Sequence, residues 1–200
     1  MHDFREKTPV LRASPKEVKN HGEYKQELKA DYYSKCGYCN DADHWTGGWR
    51  FYQLDHFVPQ KYLNKISKTE YSNLVYSCFF CNNSKRAKWP SKDETVPNDG
   101  STGFVHPGTK AYESHFKRDL NGNIIAKTEL GKYMVLAMKL NLKRHGLIWN
   151  LERLEIVIDE LEHEFNSKAD HISAELSHKI NKLLFQYRKY SKLLRAEADA

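Results

Sequence analysis

Apolar residues recur at three- and four-residue spacing along the C-terminal quarter of the chain. Leu151, Leu154, Ile158, Leu161 and Phe165 form one row, and Ile172, Leu176, Ile180, Leu183 and Tyr187 form a second. That period predicts amphipathic helix. Neither Gly nor Pro occurs from Trp149 to Ala200, so the pattern reads as two helices or as one long bent one. The polar positions differ in sign. Glu152 to Glu164 is acidic, whereas Lys179 to Arg195 carries six bases (Lys179, Lys182, Arg188, Lys189, Lys192, Arg195) and no acid. An antiparallel hairpin would set these opposite charges side by side. The apolar rows either pack on the rest of the protein or dock a partner or second copy.

Upstream, the elements are shorter. Residues 1–22, with Pro9, Pro15 and Gly22, read as an irregular lead-in. Tyr24 to Tyr33 predicts a helix, with Leu28 and Tyr32 on one face. Arg50 to His56 is strand-like and ends near Pro59, and Leu74 to Ser77 is a second short strand. Cys78 to Ala87 predicts a short helix stopped by Trp89-Pro90. Residues 60–72 and 91–110 read as loops, and Lys132 to Leu140 as a helix. The expected divisions are a lead-in and helix (1–32), a core (33–92), a loop-rich connection with a short helix (93–148) and C-terminal helices (149–200). The fold class is α+β, a small ββα core with a mostly α-helical C-terminal extension.

Composition narrows the setting. Apolar residues make up 40% of the 200 and charged residues 29%, with a net charge of +6. No apolar run approaches the ~20 residues that cross a bilayer. Met1 to Lys7 lacks the apolar core of a secretory signal. Both point to the cytoplasm, where thiols stay reduced. The local charge says more than the total. Lys61, Lys65, Lys68, Lys85, Arg86, Lys88 and Lys92 face only one acid, Glu70, in the same stretch. That excess suits phosphate contact.

The four cysteines form two Cys-x-x-Cys pairs, Cys36/Cys39 and Cys78/Cys81, separated by 38 residues. Two such knuckles can give zinc its four thiolates. The gap holds a strand hairpin, whose ends the metal would tie together. Gly37 is expected to permit the tight turn of the first knuckle. A four-cysteine site is closed, so zinc would be structural and catalysis would need a second ion. Between the pairs lie Asp55, His56 and Asn73, and Asn82 follows the last cysteine. His56 can take a proton from water near neutral pH. Asp55 and Asn82 offer hard oxygens suited to Mg²⁺ or Mn²⁺. Asn73 would hydrogen-bond loop backbone and hold His56. Lys85, one turn beyond Asn82, would reach a phosphate, with Arg86 and Lys88 beside it. One conflict stands: neighbours in a regular strand face opposite ways, so the strand must end or distort at Asp55-His56.

The order Cys-x-x-Cys, Leu54-Asp55-His56-Phe57-Val58-Pro59, Asn73-Leu74-Val75 and Cys78-Phe79-Phe80-Cys81-Asn82-Asn83-Ser84-Lys85 resembles the HNH endonucleases of the zinc-binding ββα-metal subtype, over roughly residues 33–90. The resemblance implies that His56 is the general base. Asp55 and Asn82 would hold the catalytic divalent ion, Asn73 would steady the hairpin, and the four cysteines would bind zinc. It also implies a DNA substrate with 5′-phosphate and 3′-hydroxyl products. The last motif position, often His in that family, is Asn82 here, which bears on metal preference.

Further on, His115-Phe116, Gly122-Asn123-Ile124, Thr128-x-x-Gly131, Leu140-Asn141-Leu142, Leu151 and Arg153 loosely resemble HNH proteins of Septu and retron anti-phage systems. That implies a defence role and an ATPase or other protein partner. Two rivals remain: a zinc-stabilised nucleic-acid-binding module that does not cut, and a subunit silent outside its complex. His44, His106, His115 and His145 read as packing or surface residues. Trp45 and Trp49 either pack or stack on bases.

Overall fold

The computed structural model describes residues 1–167 and 174–198. Strand β1 (Gln53–His56) pairs antiparallel with β2 (Leu74–Ser77), in the register Gln53↔Ser77 to His56↔Leu74. Helix α1 (Lys25–Asp31) precedes them and α2 (Phe79–Lys85) follows directly. The architecture is therefore the expected α+β one, a small antiparallel sheet and helix over 36–88 followed by a largely helical region.

The first knuckle joins the sheet through its backbone, Gly37 N–H donating to the Tyr76 carbonyl at 2.8 Å. Gly37 is needed there for a different reason from the one expected. The positive φ of the knuckle falls on Asn40 (67°), not on Gly37. A Cβ on Gly37 would come within 2.6 Å of the Tyr32 ring and 2.8 Å of Val75. Close packing, not turn geometry, excludes a side chain.

A modest apolar content builds this core because tyrosines fill it. Tyr32, Tyr38, Tyr52, Tyr76 and Tyr112 are fully buried. A buried phenol must place its O–H on an acceptor, and most of these do. Tyr52 donates to the Asp41 carbonyl, Tyr76 to the Asp43 carboxylate and Tyr112 to the Tyr38 carbonyl.

The lead-in and the connecting region belong to the same core, since Phe4, Phe104, Tyr112, Phe116, Leu130 and Met134 cluster with the sheet residues. Two three-residue strands, β3 (Phe116–Arg118) and β4 (Ile124–Ala126), pair antiparallel in a stretch expected to be loop with a short helix. The one-turn helix α3 (Lys110–Glu113) precedes them. Helix α4 (Glu129–Met138) starts three residues before the expected Lys132, because Thr128 caps it by accepting from Gly131 N–H. It ends at Lys139, whose φ is +55°.

The chain divides into two compact units, 1–120 with 124–141 and 121–123 with 142–200. The second unit consists mainly of α5 (Lys143–Ser167) and α6 (Ala174–Ala198). These are two helices, packed antiparallel. Tyr187 O–H donates to Glu155 at 2.8 Å, and Lys143 meets Glu197 at 3.4 Å. The side chain of Phe165, and Ile172 altogether, lie outside the described residues. No helix among the described residues is long and apolar enough to cross a membrane.

Arg118 is the main internal stitch of the first unit. It is 1% exposed. Its Nε donates to the Phe4 carbonyl at 3.1 Å and an Nη to the Cys39 carbonyl at 2.9 Å. Its backbone exchanges two 2.9 Å bonds with His2. One side chain thus joins the lead-in, the knuckle and β3. Arg118→Met keeps the volume and leaves two buried carbonyls without those donors, at about 1–3 kcal/mol each. Urea unfolding should register a loss of several kcal/mol, and a loss within error would contradict the stitch.

Candidate active site

The knuckle and the start of α2 bring Cys36, Cys39, Cys78 and Cys81 together, with all four sulfurs within 4.8 Å of one another. The thiols are free and buried. Cys39 Sγ and Cys78 Sγ are 3.8 Å apart. A tetrahedron with metal–sulfur bonds of about 2.3 Å has sulfur–sulfur edges of about 3.8 Å, so the arrangement fits one zinc ion. Cys78 N–H donates to Cys36 Sγ at 3.3 Å, which supports a thiolate ligand from outside the metal shell. Burial pushes the Cys39 and Cys81 thiols well above their ordinary range. Four thiolates can share this space only around a cation.

Asp55 and His56 are the last two residues of β1 and both stay in its ladder, opposite Val75 and Leu74, so the expected distortion is absent and their side chains take different partners. Asp55 Oδ2 accepts the Tyr38 O–H at 2.5 Å and the Lys85 ammonium at 2.9 Å. Burial raises the Asp55 carboxyl, while Lys85 and Tyr38 draw it back down. His56 lies at the edge of the sheet. Its Nε2 is 2.8 Å from the Lys68 carbonyl and its Nδ1 is 3.3 Å from the Gln60 amide nitrogen. A carbonyl only accepts, so Nε2 carries the proton and Nδ1 the lone pair. The His21 ring packs edge-on against His56 at 4.7 Å. Asp55 and His56 border one cleft of about 330 Å³, which Pro59, Lys61, Asn82 and Arg86 also line.

Asn73 Oδ1 accepts from Val58 N–H at 2.8 Å and its Nδ2 donates to the Val58 carbonyl at 3.2 Å. The turn leaving β1 is thereby pinned to the residue entering β2. Three amides of the intervening loop, those of Asn64, Lys65 and Ile66, donate to the Glu94 carboxylate. Asn82 Nδ2 donates to Gln53 Oε1 at 2.5 Å, which leaves the amide oxygen of Asn82 as its acceptor.

Lys85 requires a correction. It was expected to contact a phosphate, but it is wholly buried. Its Nζ holds Asp55 and donates to the His56 carbonyl at 3.0 Å. The rings of Phe57 and Phe104 lie within 6 Å of the same ammonium, at 5.9 and 5.6 Å. Counting one helical turn from Asn82 placed it on the right helix but could not tell which side of α2 faces the core. Lys88 is exposed, yet its Nζ is engaged at 2.8 Å with the Ala137 carbonyl at the end of α4. Arg86 is exposed and lines the cleft, with Asn83 Oδ1 2.9 Å from one Nη. Its φ of +45° ends α2.

Tyr38, Gln60, His21 and the Lys68 carbonyl were not foreseen. Only Tyr38 had a local signal, its place between two of the four clustered cysteines. His106 and His115 are tied to the Gly108 amide and the Thr128 hydroxyl, and neither lines the cleft.

The model of the HNH endonuclease family matches residues 36–88, the span that holds the four sulfurs, the hairpin and α2. Residues 36–88 form an HNH endonuclease domain. A search of curated proteins returned no match, and neither did a search of solved structures.

In this HNH domain the zinc site can be tested directly. Metal binding in small zinc modules contributes on the order of 10 kcal/mol to folding. Elemental analysis should find one zinc per chain. Cys78→Ser should lose it and open residues 36–88 to proteases. A full zinc complement in that variant would contradict the four-sulfur assignment.

Proposed function

We propose that the protein is a metal-dependent endonuclease that hydrolyses phosphodiester bonds in nucleic acid, in DNA in preference to RNA. The observation that carries this reading is His56 at the edge of the cleft, its tautomer set by the Lys68 carbonyl, next to a carboxylate anchored by buried Lys85. His56 Nδ1 takes the proton of the attacking water. The Nε2–H bond to Lys68 steadies the imidazolium that forms. Arg86, on the cleft wall, receives the phosphate. Asn73 keeps the turn after β1 from drifting.

Asp55 and Asn82 would hold Mg²⁺ or Mn²⁺. Both described donors to Asp55 go to Oδ2, and Asn82 turns its amide nitrogen to Gln53. Each residue therefore keeps one hard oxygen for an ion. Such an ion polarises the phosphate and stabilises the leaving oxygen.

The Gln60 amide sits on the very lone pair that must receive the proton. This favours a resting form that is quiet alone and active once Gln60 is displaced, as in a subunit of a larger complex. A cytoplasmic anti-phage complex with an ATPase belongs to the same proposal, with the resemblance downstream of His115 as its support.

A plasmid-nicking assay with Mg²⁺, Mn²⁺ or EDTA separates cutting from binding alone. His56→Ala should lower nicking by about 10²–10⁴-fold while nucleic-acid binding survives. Unchanged nicking by the zinc-loaded variant would remove His56 as the base. Gln60→Ala should raise the rate of the isolated protein by roughly 2- to 10-fold, the worth of one modest hydrogen bond. A fall in rate would instead make Gln60 part of the machinery.

A further inference from the structure

A second depression lies beside the cleft, toward the other end of the same two elements. β1 contributes Gln53 and Leu54 to it, and α2 contributes Phe79 and Phe80, whereas Asp55, His56, Asn82 and Arg86 line the cleft. Leu54 borders both. His21 lines the depression and also packs on the His56 ring. The two depressions adjoin at Leu54 and together make up a trough along β1 and α2. Along α2, Phe79 at one end and Lys85 at the other are separated by a rise of about 9 Å.

The far end is unusual in what it exposes. Phe51 is 65% exposed and Phe79 53%. Trp49 is at the surface beside them, with the Lys25 and Arg50 cations 5.5 and 5.9 Å from its ring. Lys25 and Arg50 both line the depression, and none of its lining residues is acidic. Exposed aromatic rings flanked by cations suit bases with free faces on a polyanionic strand. They offer little to a duplex, which shows a protein only base edges and backbone.

We propose that this trough binds single-stranded or locally unpaired nucleic acid, with bases stacked on Phe51 and Phe79, Lys25 and Arg50 at the phosphates, and the strand continuing to His56. The proposal rests on the nuclease reading for the direction of the strand, but binding tests it without cutting.

The test uses the full zinc-loaded chain, without added Mg²⁺ or Mn²⁺, and fluorescence anisotropy of a labelled oligonucleotide, single-stranded or annealed to its complement. The single strand should bind more tightly than the duplex. Phe51→Ala and Phe79→Ala should each weaken single-strand binding by about 5- to 150-fold, the usual worth of one stacked base, with little change for the duplex. Phe79→Tyr should retain binding and Phe79→Leu should not, which separates stacking from apolar contact. Zinc content confirms that each variant is folded. No loss, or equal loss on both oligonucleotides, would overturn the proposal. Nicking by the wild type without aromatic-dependent binding removes the stacking trough and leaves the nuclease. Aromatic-dependent binding without nicking leaves the trough and removes the nuclease.

Discussion

The closure of the chain at four sulfurs is the constraint on which the rest of the first unit depends. Cys78 follows Ser77, the last residue of β2, and is the N-cap of α2. Fixing its position sets where the strand stops and how the helix leaves. The partner knuckle holds Tyr38 between two of the ligands, and Tyr38 reaches Asp55. The four-sulfur cluster and the cleft are thus two ends of one short lever. A disturbance of the sulfurs would reach the carboxylate through Tyr38.

Polar groups inside this unit are numerous, and several of the buried ones find partners on distant segments. Lys85 and Arg118 are buried cations with acceptors on several segments. Burying a charge is costly, and an ion pair such as Lys85–Asp55 contributes less to stability than apolar residues in place of both partners, whereas removing one partner alone strands the other. What such a cation does well is reject wrong arrangements. If α2 rotated, Lys85 would lose Asp55 and the His56 carbonyl together.

Much of the arrangement of the candidate site was legible in the sequence because its signals are local. Cys-x-x-Cys spacing, the Asp55-His56 pair at a strand end and Asn82 on a short helix each need only a few residues of context. The two helices α5 and α6 were readable from their period for the same reason, although the ion pair between them, Lys143 with Glu197, lies outside the acidic and basic runs. What was missed depends on distant chain segments. The burial of Lys85 depends on Phe104, Arg118 reaches back to Phe4, and His21 meets His56 across 35 residues of sequence. The strands β3 and β4, three residues each, are too short for alternation to show. Gly37 was given the right importance for the wrong reason, since a turn can be read from a glycine but a neighbouring ring cannot.

The buried ion pair also sets the charge balance of the cleft. Asp55 is the sole acid among the lining residues, and Lys85 already neutralises it. Sites that keep a divalent ion by themselves bring several carboxylates. Here, in the proposed reaction, the remaining negative charge has to come from the phosphate of the strand. Metal and strand would then arrive as linked events, each raising the affinity for the other by the same factor. In that proposed reaction the protein would stand unarmed in a solution of magnesium, and would become a hydrolase only at the moment a nucleic acid completes its coordination.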